Sequence, residues 1–316
     1  RKFIDMYAGR LRNQVSFMLS ACNFYMPIFE EALDAYGLPL ELRYLPIIES
    51  ALNPSAVSRA GASGLWQFMI GTGKIYGLES NSLVDERRDP IKATWAAARY
   101  LKEMYDIYGD WNLVIAAYNC GPGTINKAIR RANGETDYWK IYNYLPKETR
   151  GYVPAFIAAN YVMTYYCDHN ICPMETNIPA STDTVQVNKN LHFEQIADLC
   201  NVPLDQIKSL NPQYKKQMIP GDSKPYTLRL PIDAISTFID KQDTIYAHRA
   251  DELFRNRKTV AVKEITPSTR KTTAAVAGKG KLTYYTIKSG DTLSTIAGKY
   301  GVTIKDIQRW NGMSNT

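Results

Sequence analysis

Histidine is scarce in this chain: there are three histidines among 316 residues, and all of them lie at position 169 or later. A cysteine nucleophile needs a nearby base, and the first half of the chain contains no histidine that could act as the base for Cys120. No group of cysteines and histidines has the spacing of a zinc site. The sequence therefore predicts neither Cys/His catalysis nor a metal or other cofactor.

Cysteines are also few, and their number is odd. The five cysteines define no disulfide framework. Cys167 and Cys172 are near enough in sequence to pair if the chain turns at Asp168-His169-Asn170, as an oxidising envelope permits. The sequence leaves this pairing open.

Long apolar runs are absent as well. No segment approaches the ~20 consecutive apolar residues that a membrane-spanning helix needs. The chain begins with Arg1 rather than Met, so we expect a mature or trimmed fragment. A secretion signal or lipid anchor outside this chain is left open.

Positive charge is concentrated in one stretch. The net charge is +7, and residues 241–282 hold ten Lys/Arg against four Asp/Glu, an excess of six. Such a segment can lie against anionic polymer or lipid headgroups, but the sequence favours a solvated tether. No nucleic-acid-binding motif accompanies the charge, so we expect no nucleic-acid partner.

The apolar pattern from residue 10 to about 167 is helical, and alternating strand patterns are rare before residue 180. One helix is expected between Asp89-Pro90 and Gly109. Another should begin at Pro39-Leu40 and end at Asn53-Pro54. A small hairpin after residues 58–64 is left open. The predicted buried stripe of the first helix comprises Ile91, Thr94, Trp95, Ala98, Leu101, Met104, Tyr105 and Tyr108.

Glu49 stands out because it is the only acidic residue besides Glu41 in residues 35–76, and its neighbours are mostly apolar. Desolvation raises the pKa of a carboxylic acid. A glutamic acid that is protonated near neutral pH can donate a proton to a leaving oxygen, as the general acid of a sugar-cleaving enzyme must. Glu49 therefore predicts glycoside chemistry.

Four sequence blocks surround this residue: Glu49-Ser50, residues 61–69, residues 117–123 and residues 148–153. In this order and spacing they resemble the lytic transglycosylase family over residues 38–159, and most closely its membrane-bound D-type subfamily. The resemblance implies a lysozyme-like helical catalytic domain. It also implies non-hydrolytic cleavage of the MurNAc–GlcNAc β-1,4 bond of peptidoglycan, which leaves 1,6-anhydroMurNAc ends.

Ordinary glycosidases use two carboxylates, and the family resemblance accounts for the single one found here. It implies that Glu49 first protonates the glycosidic oxygen and then accepts the proton of the C6 hydroxyl that attacks C1. The N-acetyl group of the substrate would offset the developing positive charge. The implied substrate-binding residues are Ser50, Ser58, Gln67, Met69, Tyr118, Asn119 and Tyr152, the last with its hydroxyl directed at Glu49 or the acetamido group.

Two other functions stay open at this point. A muramidase that hydrolyses with water would need a second carboxylate, for which Asp85, Glu86 and Asp89 are the nearby candidates. A wall-binding protein with an inactive catalytic domain would need none.

The pattern changes beyond Pro179 to the order β-α-α-β: a strand over 184–187, helices over 193–199 and 204–210, and a strand over 226–230. The first three elements recur in residues 284–311. The second copy resembles a LysM domain through residues 289–293 and Trp310-Asn311, and we expect its closing strand to be missing because the chain stops at Thr316. This resemblance implies binding of N-acetylglucosamine chains through Gly290, Asp291, Thr292, Leu293 and Asn311.

The sequence as a whole predicts a mainly α protein with small βααβ LysM-like modules. We expect a catalytic domain over 1–179, a degenerate LysM-like module over 180–232, a basic linker over 233–282 and a truncated LysM domain over 283–316. The family implies a periplasmic monomer of the bacterial cell envelope that acts on peptidoglycan glycan strands. Membrane anchoring, including anchoring at the outer membrane, is left open.

Overall fold

The computed structural model describes residues 1–176, 178–179, 181–254, 259–263, 282–287, 291–311 and 313. The chain divides into two compact units, Arg1–His248 and Arg249–Thr316. Within the described residues, no helix has both the length and the apolarity to traverse a bilayer. All five cysteines are free, and Cys167 and Cys172 are both exposed.

The first part of the Arg1–His248 unit is helical, which confirms the mainly α prediction. Short 3-10 segments at Leu40–Tyr44, Glu86–Arg88, Tyr142–Tyr144 and Tyr166–His169 and a π-helical turn at Met6–Arg10 complete it. Its α-helices are α1 (Lys2–Asp5), α2 (Arg12–Ala35), α3 (Leu45–Ser50), α4 (Ile70–Ile75), α5 (Pro90–Tyr108), α6 (Trp111–Cys120), α7 (Pro122–Arg131), α8 (Tyr138–Ile141) and α9 (Lys147–Thr164).

Helix α5 has the bounds that its sequence signals predict. The Asp89 carboxylate accepts hydrogen bonds from the backbone of Ile91 and Lys92 at 2.9 and 3.0 Å, and Gly109 ends the helix with φ of +63°. The predicted stripe is only partly buried, because Ile91 and Trp95 are each 36% exposed. Small residues, including Ala93, Ala96 and Ala97, fill the buried face in their place.

The segment that carries Glu49 differs from the single helix predicted to start at Pro39-Leu40. A 3-10 turn over Leu40–Tyr44 leads into α3. Helix α3 ends before the predicted Asn53-Pro54, because Ala51 and Leu52 both adopt left-handed backbone conformations with φ of +52° and +58°. Isolated β-bridges join Val57 to Ser63 and Ser63 to Phe68, so a small hairpin-like turn follows this segment.

A small β-α module completes the Arg1–His248 unit. Strand β1 pairs antiparallel with β4, from Thr182 opposite Pro231 to Val187 opposite Tyr226, and β2 pairs with β3. Helices α12 and α13 pack on this module through the buried Ala234, Phe238 and Ile245, although the sequence places them in the linker. The elements are β1 (Thr182–Val187), β2 (Asn190–His192), α10 (Phe193–Cys200), α11 (Leu204–Leu210), β3 (Met218–Pro220), β4 (Tyr226–Pro231), α12 (Ile232–Asp240) and α13 (Gln242–Ala247).

The module is joined to the helical part by a loop of the latter. Val84 belongs to the core of the module and forms a β-bridge with Tyr214. Backbone hydrogen bonds of 2.8 Å run from Asp85 N–H to Gln213 O and from Lys215 N–H to Leu83 O. Main-chain pairing of this kind fixes one part relative to the other.

The Arg249–Thr316 unit contains α14 (Ala250–Leu253), β5 (Thr259–Lys263), β6 (Leu282–Thr286), α15 (Leu293–Tyr300) and α16 (Ile304–Trp310). Its core is small and includes Ile296, Ala297 and Ile307. Strand β6 pairs antiparallel with β5, which comes from the stretch predicted to be a linker. Residues 255–258 and 264–281 of the same stretch lie outside the described residues.

Candidate active site

Glu49 lies in the last turn of α3 and lines a cavity of about 420 Å³. Among the described residues that line this cavity, Glu49 alone carries a carboxyl group. Burial raises the pKa of Glu49 from 4.5 to about 7. A hydrogen bond from Tyr152 acts in the opposite direction, and the charge of Glu148 raises the pKa further.

Tyr152 is held against Glu49 by the packing of α9 on α3. It is buried in α9, and its hydroxyl donates a hydrogen bond to Glu49 Oε1. Burial and the nearby carboxylate raise the pKa of Tyr152 well above 10, so the phenol stays protonated and remains a donor. The contact places the Tyr152 hydroxyl on the carboxyl group, one of the two targets suggested by the family resemblance.

Three other residues of the predicted site line the same cavity: Ser50, Ser58 and Gln67. The Ser50 hydroxyl lies 3.0 Å from the carbonyl oxygens of Pro46 and Leu65 and bridges α3 to the next loop. The Ser58 hydroxyl accepts a hydrogen bond from the backbone N–H of Ala62 at 3.0 Å.

Gln67 has an unusual backbone. Its φ is +49°, a conformation that non-glycine residues rarely adopt and that is common at functional sites. Its side-chain N–H₂ donates to Gly64 O at 2.8 Å and to Ala56 O at 3.3 Å. These bonds hold the amide at the cavity wall.

The remaining three predicted residues, Met69, Tyr118 and Asn119, do not line this cavity. Met69 precedes α4 and is 45% exposed. The Tyr118 hydroxyl donates to Trp66 O at 2.6 Å. The Asn119 side-chain oxygen accepts from the Thr149 hydroxyl at 2.9 Å and ties α6 to α9. In this structure Tyr118 and Asn119 support elements around the site.

The loop that carries Gln67 is anchored by Arg87, which the sequence analysis missed. The Arg87 guanidinium is buried and binds the Asp85 carboxylate with two hydrogen bonds of 2.9 and 2.8 Å. It also donates to Gly61 O at 2.8 Å and to Phe68 O at 2.9 Å. Arg87 thus holds both ends of the 61–68 loop. In the sequence, the only indication of this role is that Arg87 is a basic residue within an acidic cluster.

The anchoring also explains the glycine at position 64. Gly64 has φ of +90°, and a Cβ at this position would lie 1.7 Å from Arg87 O. The backbones of the two segments can approach this closely only because residue 64 has no side chain.

The candidate second carboxylates have structural roles away from the cavity. Asp85 is paired with Arg87. Glu86 is buried, accepts from the Glu79 backbone at 2.8 Å and pairs with Lys92 at 2.5 Å. Asp89 caps α5. The cavity wall also includes Tyr7, Leu11, Gln14 and Met18, which the sequence did not predict because they belong to no motif.

The predicted LysM residues are partly described. Gly290 lies outside the described residues. The Asp291 carboxylate accepts from the Tyr285 hydroxyl at 2.9 Å, and Thr292 forms a capping box at the start of α15, whose first residue is Leu293. The Asn311 side chain donates to Ile307 O at 2.8 Å at the end of α16.

Three protein families match consecutive parts of the chain. Residues 26–141 match the Transglycosylase SLT domain. Residues 181–247 match the LysM-like domain of lytic transglycosylase MltD, and residues 285–316 match the LysM domain. The second match includes the region of α12 and α13, which agrees with their packing on the module.

Several known proteins are similar to this chain. Membrane-bound lytic murein transglycosylase D of Escherichia coli is 33% identical over 279 residues, which is 87% of this chain and 57% of the relative. Soluble lytic murein transglycosylase of Escherichia coli is 33% identical over 124 residues, covering 37% of this chain and 19% of the relative. The chain thus spans little more than half the length of the first relative.

Among solved structures, the crystal structure of the 70 kDa soluble lytic transglycosylase from Escherichia coli is similar to part of this chain. It has 29% sequence identity and a TM-score of 0.39, and the match covers 45% of this chain and 24% of that one.

Proposed function

Because the chain belongs to the lytic transglycosylase family, we propose that it cleaves the MurNAc–GlcNAc β-1,4 bond of peptidoglycan without water and leaves 1,6-anhydroMurNAc ends. The observation that carries this proposal is the Glu49 cavity, which contains one carboxyl group with a pKa of about 7 among its described lining residues. One group with this pKa can act as an acid and then as a base near neutral pH.

The geometry suits both steps. Tyr152 binds Oε1 of Glu49, so Oε2 is the oxygen that we assign to proton transfer. Protonated Glu49 donates to the glycosidic oxygen as the C1–O bond breaks. The resulting carboxylate then accepts the C6 hydroxyl proton as that oxygen bonds to C1. Well-oriented internal reactions of this type reach effective molarities of about 10⁵–10⁸ M, so no separate protein nucleophile is needed.

We assign substrate binding to Ser50, Ser58 and Gln67, which line the cavity with Glu49. Tyr152 is a positioning residue that also stabilises the carboxylate form. Met69, Tyr118 and Asn119 remain predicted site residues, and the hydrogen bonds of Tyr118 and Asn119 support a role in shaping the cleft. A muramidase is less well supported, because Asp85, Glu86 and Asp89 are engaged elsewhere.

The decisive experiment is a digestion of purified peptidoglycan followed by mass spectrometry of the fragments. We expect anhydro ends from the wild-type protein and a loss of several orders of magnitude in rate for Glu49→Gln. The matched control is Glu31→Gln, which changes an exposed glutamate of α2 and should leave the rate unchanged. Reducing ends in place of anhydro ends would contradict the transglycosylase proposal and favour a muramidase.

We also propose that the protein works as a periplasmic monomer and that residues 283–316 bind glycan through Asp291, Thr292, Leu293, Asn311 and Gly290. The LysM family match over 285–316 supports the binding role.

A further inference from the structure

A second and larger cavity lies next to the Glu49 cavity. It has a volume of about 1260 Å³, above the ~300–1,000 Å³ typical of small-molecule pockets. Gln14, Ser50 and Ala51 line both cavities. The two cavities are therefore neighbours that share part of one wall, and we refer to the larger one as the α2–α11 groove.

One wall of the α2–α11 groove comes from the helical part. Phe17, which is 41% exposed, and Phe24 present aromatic rings from α2, and Asn53 contributes an amide from the loop after α3. The wall is continued by Met174, whose backbone N–H donates to Ser16 O at 3.3 Å and whose carbonyl accepts from the Ser20 hydroxyl.

The opposite wall comes from the LysM-like module. Pro203, Asp205, Gln206 and Ser209 of the α11 region line the groove. This wall is fixed in place, because the module is joined to residues 83–85 by main-chain hydrogen bonds. An ion pair between Lys224 and Glu79 at 2.7 Å adds to the attachment.

We propose that the α2–α11 groove binds the glycan strand on one side of the bond that is cut, so that the LysM-like module forms a wall of the catalytic cleft. This inference rests on the proposed function, since a polymer cut at Glu49 must continue out of the Glu49 cavity. Aromatic faces with a few amide groups suit sugar rings, which present apolar faces edged by hydroxyls.

The lining of the groove is compatible with the neutral hydroxyl and acetamido groups of a glycan. No lysine, arginine or histidine is among the described residues that line it, whereas Glu175 and Asp205 are. Lys208 pairs with Asp205 at 3.1 Å. The hydroxyl and acetamido groups of sugar rings are neutral and need no charged partner in the groove wall.

The test blocks the groove from the module side. Ser209 is exposed on α11, and Ser209→Trp would fill the groove. Ser236→Trp is the matched control, because Ser236 is an exposed serine of α12 in the same module and does not line the groove. The substrates are long peptide-free glycan strands, long glycan strands that carry peptides, and a peptide-free tetrasaccharide. Thermal denaturation checks that both variants fold.

We expect Ser209→Trp to lower the ratio of kcat/KM for long strands to kcat/KM for the tetrasaccharide by about tenfold, equivalent to about 1.4 kcal/mol. The control should leave this ratio at the wild-type value. Equal ratios for the two variants would overturn the proposal. A loss seen only with strands that carry peptides would also overturn it, because the groove would then bind the stem peptide.

A second pair of variants probes the other wall. Phe17→Ala removes an aromatic ring from the groove, and Ile107→Ala removes an exposed apolar side chain of α5 outside it. Binding of long peptide-free strands to inactive Glu49→Gln protein should weaken with the first substitution and not with the second. This measurement separates the two proposals: a wild-type protein that binds strands in the groove but forms no anhydro ends would refute only the proposed reaction.

Discussion

The substitution Glu49→Gln tests the assignment of Glu49 in a way that does not depend on activity. A glutamine keeps the shape of the side chain and its ability to accept the Tyr152 hydrogen bond, but it has no charge. Folding places Glu49 where its pKa is about 7, against 4.5 for an ordinary glutamate. The wild-type protein therefore loses stability when this residue ionises, and the variant does not.

The magnitude follows from the pKa difference. One pKa unit corresponds to about 1.36 kcal/mol, so a change from 4.5 to about 7 amounts to an upper bound of about 3 kcal/mol. The sign follows from proton binding: between pH 4.5 and about 7 the folded state holds a proton that the unfolded state has released, so stability falls as pH rises. The penalty is absent below pH 4.5 and complete above about 7.

The assay is urea unfolding of wild type and Glu49→Gln at several pH values from about 4 to 8. We expect the variant to gain stability over wild type as pH rises, by up to about 3 kcal/mol. Glu31→Gln, at an exposed position, should show no such trend. A stability difference between Glu49→Gln and wild type that is constant over this pH range would refute the argument that burial raises the pKa of Glu49.

Three further predictions follow from the same contacts. Tyr152→Phe removes a hydrogen bond that lowers the pKa of the Glu49 carboxyl group, whereas Glu148→Gln removes a charge that raises it. If Glu49 is the general acid, the basic limb of the pH–rate profile should move to higher pH in the first variant and to lower pH in the second. Movement of this limb in the same direction in both variants would contradict this. Gly64→Ala should lower the free energy of unfolding by more than about 4 kcal/mol, because its Cβ would lie 1.7 Å from Arg87 O. Gly61 has φ of +86° but open space around it, so Gly61→Ala should cost only about 1–2 kcal/mol. Equal costs for the two variants in urea unfolding would disprove the clash. Deletion of residues 283–316 should reduce the fraction of protein retained on insoluble peptidoglycan more than it reduces the rate of cleavage of soluble fragments. Pull-down and rate assays on the full chain and the deletion variant check this.

Helix bounds were predictable where their determinants are local. Asp89, Pro90 and Gly109 set the ends of α5 through capping, a fixed φ and a left-handed φ, all of which are properties of single residues. The end of α3 is different, since Ala51 and Leu52 are residue types that disfavour positive φ. Leu52 is 1% exposed, so its burial in the core offsets that cost, and burial is a tertiary property.

The linker prediction shows the same limit. The sequence predicts a basic linker over 233–282, yet α12 and α13 pack on the module through Ala234, Phe238 and Ile245. The helical spacing of these apolar residues is visible in the sequence, but the surface that receives them is formed by residues from Val187 onwards and by Val84, which is far earlier in the chain. The apolar pattern alone does not predict which surface a short amphipathic helix packs against.

By itself the sequence determined the mainly α class, the order of the modules and the identity of the one acidic residue in an apolar segment, because these depend on residue type and spacing. Only the tertiary structure decided that Tyr152 binds Glu49, that Arg87 holds the 61–68 loop and that α11 lines the cavity next to the Glu49 cavity. Those contacts join residues far apart in the chain, and their partners are chosen by how the helices pack.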